Sequence, residues 1–243
     1  MKSKFVKLFR ICSSRYLLNN LIQFHVAASV EHNDTFRNLL RYPFATIVDI
    51  GVNRGQFALL ARQKFPDSKI ISFEPLEEPA RILNKLFAND KNIKLYQLAI
   101  GPEDKASHIH VSKADDSSSL LEITDLQNTL FPGTSEKETR TIQEKPLDAI
   151  LSKGDIKSPA FLKMDVQGFE LQALEGCKSL LPSFIYLYIE CSFVELYAGQ
   201  SLVPDVIAFL RENGFDLEGI YNLGYDKNGR AIQGDFLFKN NAL

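Results

Sequence analysis

The stretch T-I-V-D-I-G-V-N-R-G-Q-F at residues 46–57 decides the fold of this chain. Residues 47–50 are apolar and β-branched apart from Asp49, which is typical of a strand buried on both faces of a sheet. Gly51 and Gly55 then enclose a tight turn, and a helix-compatible sequence follows. Such a turn lets backbone N–H groups and a helix N-terminus approach a ligand at the carboxyl end of the strand. Asp49 is predicted to reach into that crevice.

A second short strand, at residues 69–73, ends in an acidic residue. Glu74 follows Gly55 by 19 residues and is itself followed by Pro75. An acid at about this distance from a glycine turn, at the tip of the next strand, is placed to accept two hydrogen bonds from a ribose diol. The two stretches together predict a cofactor that contains a nucleoside.

Two classes of cofactor fit this pattern. Dinucleotide sites use three closely spaced glycines because the pyrophosphate needs a bare backbone, but here Asn53 stands at the central position and Ala58 at the third. S-adenosylmethionine has no phosphate, and its sulfonium and α-amino groups are cationic. A carboxylate beside the turn suits those cations, and Asp49 is that carboxylate. The residues therefore favour S-adenosylmethionine over NAD.

Later strands also end in acids. The strand at 160–166 carries Lys163 and Asp165, two residues apart and on the same side of the strand, so an ion pair between them is predicted. The strand at 184–191 ends in Glu190. With Asp49 and Glu74, these acids would share one edge of the sheet and define a pocket. Glu170, in the first turn of the next helix, either points into that pocket or complements the helix dipole.

Six sequence motifs, taken in their order along the chain, resemble those of the FkbM-type family of S-adenosylmethionine-dependent methyltransferases. The resemblance runs from about residue 47 to residue 238, and K-x-D-V-Q-G-x-E is its most particular element. Val52 is a departure, because the family more often has alanine there. The motifs are D-I-G-V-N-R-G-Q-F (49–57), F-E-P (73–75), A-I-G (99–101), S-S-S-L (117–120), K-M-D-V-Q-G-F-E-L-Q-A-L-E-G (163–176) and I-E (189–190).

The resemblance implies a class I methyltransferase fold. This is an α/β, Rossmann-like sheet that is mostly parallel, with helices on both faces and an antiparallel C-terminal hairpin. The residues support the hairpin, because the last predicted strands, at 215–218 and 236–238, have no helix between them. The cofactor would be S-adenosylmethionine. The residues expected to bind it are Asp49, Gly51, Asn53, Gly55, Glu74, Pro75, Ala99 and Asp165.

The family also implies O-methylation of a hydroxyl of a sugar, glycoconjugate or hydroxylated natural product. An alcohol must lose its proton as it attacks, so a base is needed near the acceptor. Asp165, Glu190 and Glu170 are the catalytic candidates. A divalent metal that bridges Asp165 and Glu190 is a weaker alternative, because two acids alone bind Mg²⁺ poorly; no metal site is predicted. His108 and His110 are expected to face solvent.

Two further stretches carry structural expectations. Residues 93–100 are predicted to form one strand, closed by Gly101 and Pro102. Residues 115–140 are polar, rich in Ser, Thr, Asp and Glu, and contain Pro132 and Gly133. Long polar segments of this kind are usually active-site covers or disordered loops, so a long loop is predicted there.

The first 40 residues differ from the rest, which predicts an N-terminal helical extension (1–40) before the catalytic domain (41–243). Six basic residues stand against two acidic ones. Apolar side chains recur at helical spacing between the basic ones, at Phe5, Leu8, Phe9, Cys12 and Tyr16. This face could pack on the domain or on a second subunit, or residues 1–20 could dock on an anionic membrane surface.

Composition bounds the remaining alternatives. The chain has 243 residues, 45% of them hydrophobic, and a formal charge of −2, so it can bury one large core and shows no basic field for nucleic acid. Its three cysteines lack metal-ligand spacing and indicate a reducing cytoplasm, with peripheral membrane contact left open. A small molecule or glycan is the expected partner, and homo-oligomerisation is left open. The rival functions are an NAD-linked oxidoreductase and a non-catalytic partner-binding module.

Overall fold

The structure is a computed structural model that describes residues 2–243, and a seven-stranded sheet lies at its centre. In chain order the strands of the molecule are β1 (Thr46–Ile50), β2 (Lys69–Phe73), β3 (Ile93–Tyr96), β4 (Ala99–Ile100), β5 (Lys105–Ser112), β6 (Glu136–Lys145), β7 (Ala160–Met164), β8 (Tyr186–Ser192), β9 (Phe215–Tyr225) and β10 (Ala231–Asn240). The central order is β3-β2-β1-β7-β8-β10-β9. The first five strands are parallel, and β10 is antiparallel to both of its neighbours. The predicted fold class is confirmed.

Helices cover both faces of this sheet. They are α1 (Lys2–Cys12), α2 (Arg15–Phe24), α3 (Asn33–Leu39), α4 (Gln56–Lys64), α5 (Glu77–Leu86), α6 (Asp125–Leu130), α7 (Glu170–Cys177) and α8 (Val203–Glu212). Successive side chains of a strand point to opposite faces. Thus Ile47 packs in a core with α2 to α5, whereas Val48 and Ile50 pack with α7 and α8. No helix within residues 2–243 has the length and apolar character needed to cross a membrane.

The strand predicted at residues 93–100 is interrupted, so that prediction is wrong. β3 leaves the central sheet at Tyr96, and Ala99 and Ile100 pair instead with β6 in a separate three-stranded sheet of order β4-β6-β5. An apolar run shows that a strand forms but not which neighbour it pairs with, and the change of sheet carries Leu98 and Ala99 into the wall of the cavity described below.

The predicted loop at residues 115–140 is also wrong in part, because it contains α6 and the first half of β6. The first four residues of β6 are exposed, so its sequence lacks the apolar alternation that marks a half-buried strand. The terminal hairpin is also longer than predicted, because β9 spans 11 residues and β10 spans 10. Most of β9 is exposed, so its sequence does not show the apolar alternation by which a half-buried strand is recognised.

The N-terminal segment is helical and closely packed on the domain. Ile11, Leu17 and Phe36 are buried in the same apolar cluster as Phe57 of α4. However, the apolar face predicted for the first helix does not pack on the domain, because Phe5, Leu8, Phe9, Cys12 and Tyr16 are all exposed. The side chain of Ile11, on the opposite side of α1, makes the contact instead.

The glycine turn after β1 forms as predicted. Gly51 has a φ of 78° and its N–H donates to the carbonyl of Phe73 at 3.0 Å. A Cβ at Gly51 would overlap the carbonyl oxygen of Asp165, so only glycine lets the ends of β1 and β7 approach so closely.

We expect Gly51→Ala to lower the free energy of unfolding by more than about 3 kcal/mol, because it adds backbone strain and a clash with another backbone segment. Gly229→Ala is the matched control. Gly229 also has a positive φ, 81°, but nothing lies within 4 Å of an added Cβ, so about 1 kcal/mol is expected. Chemical denaturation measures both values, and equal losses would contradict the close-approach explanation.

Candidate active site

A cavity of about 830 Å³ lies at the carboxyl ends of β1, β2, β7 and β8. This is the edge at which open α/β sheets bind ligands. The volume is in the upper part of the range that is usual for sites of cofactors and small molecules. The turn after β1 and Glu74 after β2 line one end, and Asp165 just after β7, Glu190 of β8 and Asp235 of β10, farther across the sheet, line the other. The sequence-predicted acids of three strands therefore meet in one cavity.

Glu74 organises the first end. Its side chain is buried, and its two oxygens accept backbone N–H groups from Asn53 and Leu76, each at 2.9 Å. A carboxylate oxygen can accept more than one hydrogen bond, so both oxygens retain capacity for a diol. Burial raises the pKa of Glu74 to about 7. Pro75 and Ala99 line the same end, and the small side chain of Ala99 leaves room for a flat ring.

Two residues predicted to bind cofactor lie outside the cavity wall. Asp49 is fully buried beneath Lys163, whose Nζ lies 3.8 Å from Oδ1 of Asp49, and its carboxylate has no hydrogen-bond partner within residues 2–243. Burial raises the pKa of Asp49 to about 6. Gly55 faces the side chains of Leu83 in α5 and of Phe87 just after it. Both residues lie on the side of the turn that faces away from the cavity, whereas Gly51 and Asn53 line the cavity directly.

A glutamine that the sequence analysis did not single out joins the two acids at the other end. The amide of Gln167 donates from Nε2 to Asp165 at 2.7 Å and to Glu190 at 3.0 Å. The predicted ion pair is present, with Nζ of Lys163 3.3 Å from Asp165. Gln233 donates to the second oxygen of Glu190 at 3.0 Å. Burial, together with the nearby charge of Asp165, raises the pKa of Glu190 well above its usual value.

Gln167 is held in a fixed position by its own contacts. Its backbone has a φ of 54°, Tyr197 donates to its side-chain oxygen at 2.7 Å, and the Ser119 hydroxyl donates to its carbonyl at 2.6 Å. Ser119 thereby ties the S-S-S-L segment to the turn after β7. The clue in the sequence was the position of Gln167 between an acid and a glycine at a strand end, but spacing alone does not show that its amide spans two strands.

Glu170 takes part in this support. It is buried, it does not line the cavity, and its Oε1 accepts the backbone N–H groups of Gly168 at 3.0 Å and Val166 at 3.3 Å. Burial raises its pKa to about 7. Because it is the first residue of α7, it closes the turn that carries Gln167. A role for Glu170 in positioning that turn is our proposal.

A second polar wall comes from segments that the sequence analysis did not connect. Nδ1 of His32, just before α3, lies 3.0 Å from the Tyr188 hydroxyl and 3.4 Å from Oδ2 of Asp235. Asn222 donates to the same Asp235 oxygen at 2.7 Å. Burial opposes ionisation of Asp235, but its hydrogen bonds with His32 and Asn222 hold its pKa below the usual value. His32, Asn222 and Asp235 all line the cavity.

No sequence motif marks this wall, because His32 is 190 residues from Asn222 and meets it only when β9 and β10 fold beside the N-terminal segment. His108 and His110 do not line the cavity. Within residues 2–243, no group of three or more His, Cys, Asp or Glu side chains is arranged to hold a metal ion.

The raised pKa of Glu74 predicts a pH dependence for nucleoside binding. We propose that the ionised carboxylate accepts hydrogen bonds from the two ribose hydroxyls, so that binding below pH 7 requires Glu74 to release its proton. We expect the Kd for S-adenosylhomocysteine to rise up to about tenfold for each pH unit below about 7, and to be level above it. Calorimetry in buffers of different pH measures this slope. A Kd that does not change with pH, both in the unchanged protein and in Glu74→Gln, would contradict this prediction.

The strand order, the glycine turn followed by Glu74, and the acids at the carboxyl ends of the strands define a class I methyltransferase that uses S-adenosylmethionine. The profile of the methyltransferase FkbM domain matches residues 49–217, and the chain belongs to this family. The family resemblance and the cofactor predicted from the sequence are confirmed, and the NAD-linked alternative loses its support.

Two methyltransferases of similar sequence agree with this assignment. The 2-O-methyltransferase NoeI of Sinorhizobium fredii (strain NBRC 101917 / NGR234) is 28% identical over 217 residues, which cover 85% of this chain and 84% of NoeI. Methyltransferase sdnD of Sordaria araneosa is 26% identical over 211 residues, covering 77% of this chain and 79% of that protein. The crystal structure of precorrin-6y C5,15-methyltransferase from Geobacter metallireducens GS-15 overlaps with a TM-score of 0.49 at 11% identity, over 86% of this chain and 88% of that chain.

Proposed function

We propose that this methyltransferase acts on oxygen, and that its acceptor is a hydroxyl of a sugar, glycoconjugate or hydroxylated natural product. The observation that carries the proposal is the pair Asp165 and Glu190, joined by Gln167 in the same cavity as Glu74. The name of NoeI, a 2-O-methyltransferase, supports oxygen as the accepting atom.

The residues at the Glu74 end fit the cofactor. Glu74 would hold the ribose hydroxyls, and Ala99 would face the adenine. Asp165, whose side chain is 31% exposed, would lie on the side of the reacting group. When bound, S-adenosylmethionine supplies a methyl group on a cationic sulfur, and the acidic lining of the cavity complements that charge. Asp49, which lies one layer deeper, would add to the negative potential without direct contact.

Either Asp165 or Glu190 would remove the proton of the acceptor. A hydroxyl becomes a better nucleophile as a carboxylate takes its proton, and such general-base assistance typically contributes a factor of about 10² to 10⁴ in rate. Gln167 fixes both carboxylates by donating to them, while Lys163 holds the other oxygen of Asp165. Positioning of this kind is the main contribution that a protein makes to a direct methyl transfer.

The wall formed by His32, Asn222 and Asp235 would bind the remaining hydroxyls of the acceptor. It offers donors and acceptors on the side of the cavity away from Glu74, and His32 belongs to the N-terminal extension. A polyhydroxylated acceptor needs such groups, because each hydroxyl taken from water must regain hydrogen bonds.

We expect His32→Ala to raise KM for the acceptor about tenfold while leaving the Kd for S-adenosylhomocysteine unchanged, because about one hydrogen bond to the acceptor is lost. His108→Ala, which removes an exposed histidine of β5, should change neither value. Steady-state kinetics and calorimetry measure the two constants. A weaker Kd with an unchanged KM would place His32 at the cofactor instead.

The proposal is tested by incubating the protein with S-adenosylmethionine and a panel of methyl hexosides, each paired with an analogue that has an amino group or hydrogen in place of one hydroxyl. Formation of S-adenosylhomocysteine is followed, and the product is examined by NMR. The proposal predicts a methyl group on oxygen and no turnover when the accepting hydroxyl is removed. Methyl transfer to nitrogen in preference to oxygen would contradict it. Cofactor binding with no transfer to any panel member or cell-derived glycan would support the non-catalytic alternative.

A further inference from the structure

Helix α1 presents an apolar face that no part of residues 2–243 covers. Phe5 and Phe9, one turn apart, are 72% and 76% exposed, and Val6 and Leu8 are each 50% exposed. Ile11 is only 4% exposed and faces the domain. An aromatic side chain loses about 1.5 to 3 kcal/mol of burial free energy when it is left in water, so four adjacent exposed apolar residues indicate a binding surface.

The sequence that contains this face carries mainly positive charge. Residues 2–30 contain Lys2, Lys4, Lys7, Arg10 and Arg15 and no acidic residue, although the whole chain has a formal charge of −2. Glu31 pairs with Lys7 at 2.9 Å, and Asp34 lies 3.9 Å from Arg10, so two of these charges are balanced within the protein. Arg15 is exposed and has no ion pair within the described residues. The N-terminal sequence therefore combines exposed aromatic side chains with excess positive charge.

We propose that α1 docks on an anionic lipid membrane through Phe5, Val6, Leu8 and Phe9. An amphipathic helix with this composition lies in the membrane interface, where its apolar side chains enter the acyl boundary and its basic residues contact lipid headgroups. A second copy of the chain is a poorer occupant. In a two-fold contact the same surface meets itself, so the cations of one α1 would face those of the other.

The docked orientation would bring the cavity to the lipid surface. Lys7 and Ile11 lie on the domain side of α1 and line the cavity. Since a helix with its side chains is about 10 Å wide, docking through the opposite face would hold the cavity wall within about that distance of the headgroups. An acceptor attached to a lipid could then be reached. This consequence for the acceptor rests on the proposed function, whereas the docking itself does not.

Co-sedimentation of the full chain with lipid vesicles tests the proposal. The vesicles are phosphatidylcholine alone and phosphatidylcholine mixed with phosphatidylserine, at low and high salt. The test variant is Phe5→Ser combined with Phe9→Ser. The control is Leu217→Ser combined with Ile220→Ser, which removes two apolar residues of β9 that are 39% and 43% exposed. Size-exclusion chromatography with light scattering gives the oligomeric state of each protein, and circular dichroism confirms folding.

We expect the unchanged protein and the β9 variant to bind the anionic vesicles at least about tenfold more strongly than the neutral ones, and to be released by salt. The Phe5/Phe9 variant should lose at least about tenfold in binding to anionic vesicles. Equal pelleting of the two variants, or no preference for anionic lipid, would overturn the proposal. The protein could instead bind neither kind of vesicle and form dimers that dissociate in the Phe5/Phe9 variant. That result would assign the apolar face to a second copy of the chain and would also overturn the proposal.

Discussion

Replacing Glu74 with alanine is expected to weaken the binding of S-adenosylmethionine and S-adenosylhomocysteine by about 100-fold. Two hydrogen bonds from ribose hydroxyls to a carboxylate contribute about 3 kcal/mol together, and both are lost. The turn also loses its support, because the N–H groups of Asn53 and Leu76 no longer have the carboxylate as acceptor. Calorimetric titration of the variant measures the loss.

Two further variants separate the role of Glu74 from general effects. Glu74→Gln keeps the shape but turns an amide donor towards backbone N–H groups, so we expect most of the same loss. Glu77→Ala removes an exposed acid three residues away, at the start of α5, and should leave the Kd within about twofold. Wild-type affinity in Glu74→Ala, with the fold intact by circular dichroism, would show that the ribose is held elsewhere.

The second large effect is expected at the acids of the opposite end. Asp165→Asn and Glu190→Gln should each lower kcat by about 10² to 10³ while the Kd for S-adenosylhomocysteine stays within about threefold. Neither amide can accept a proton from the acceptor, and each leaves the amide of Gln167 facing another amide in place of a carboxylate. Because Gln167 links the two residues, the double variant should lose far less than the product of the two single losses.

Single-turnover kinetics with the acceptor identified by the panel separates chemistry from binding. Asp216→Asn, an exposed acid of β9, is the matched control and should retain wild-type kcat. If Asp165→Asn and Glu190→Gln both keep near-normal turnover with unchanged cofactor affinity, these carboxylates are not the base. The His32 and Asp235 pair would then be the next residues to examine.

The part of the site that we propose for the cofactor could be predicted from the sequence because it is local. A strand, a glycine turn and the next strand place Asn53 and Glu74 within 21 positions of each other, and the periodicity of the strands fixes which edge they share. The ion pair between Lys163 and Asp165 followed from their spacing on one strand. Short-range geometry of this kind is set by the backbone alone.

Burial depth was not predictable from the same information. Asp49 was expected to reach the ligand, but the strand that carries it is buried along its whole length, so the carboxylate lies behind the cavity wall. Whether a side chain at a strand end lines a cavity or lies one layer beneath it depends on neighbours from distant segments. In this case the neighbour is Lys163, whose ammonium group lies above Asp49.

The wall of His32, Asn222 and Asp235, which we propose binds the acceptor, was missed because His32 lies far from the other two residues in the sequence. His32, Asn222 and Asp235 belong to three separate segments with no shared motif. The N-terminal extension could be recognised as helical from its periodicity, but periodicity does not show that one of its residues enters the active-site cavity. The structure therefore changes the interpretation of this segment, since residues outside the matched family region line the same cavity as the acids.

The most direct measurement is a crystal structure of the complex with S-adenosylhomocysteine, because it tests the division of the cavity into a cofactor end and an acceptor end. We predict that the ribose hydroxyls bind the Glu74 carboxylate, that the adenine lies against Ala99, and that the sulfur faces Asp165 with the space towards Glu190 and His32 open for the acceptor. A ribose bound away from Glu74, or a sulfur directed away from Asp165 and Glu190, would contradict the account.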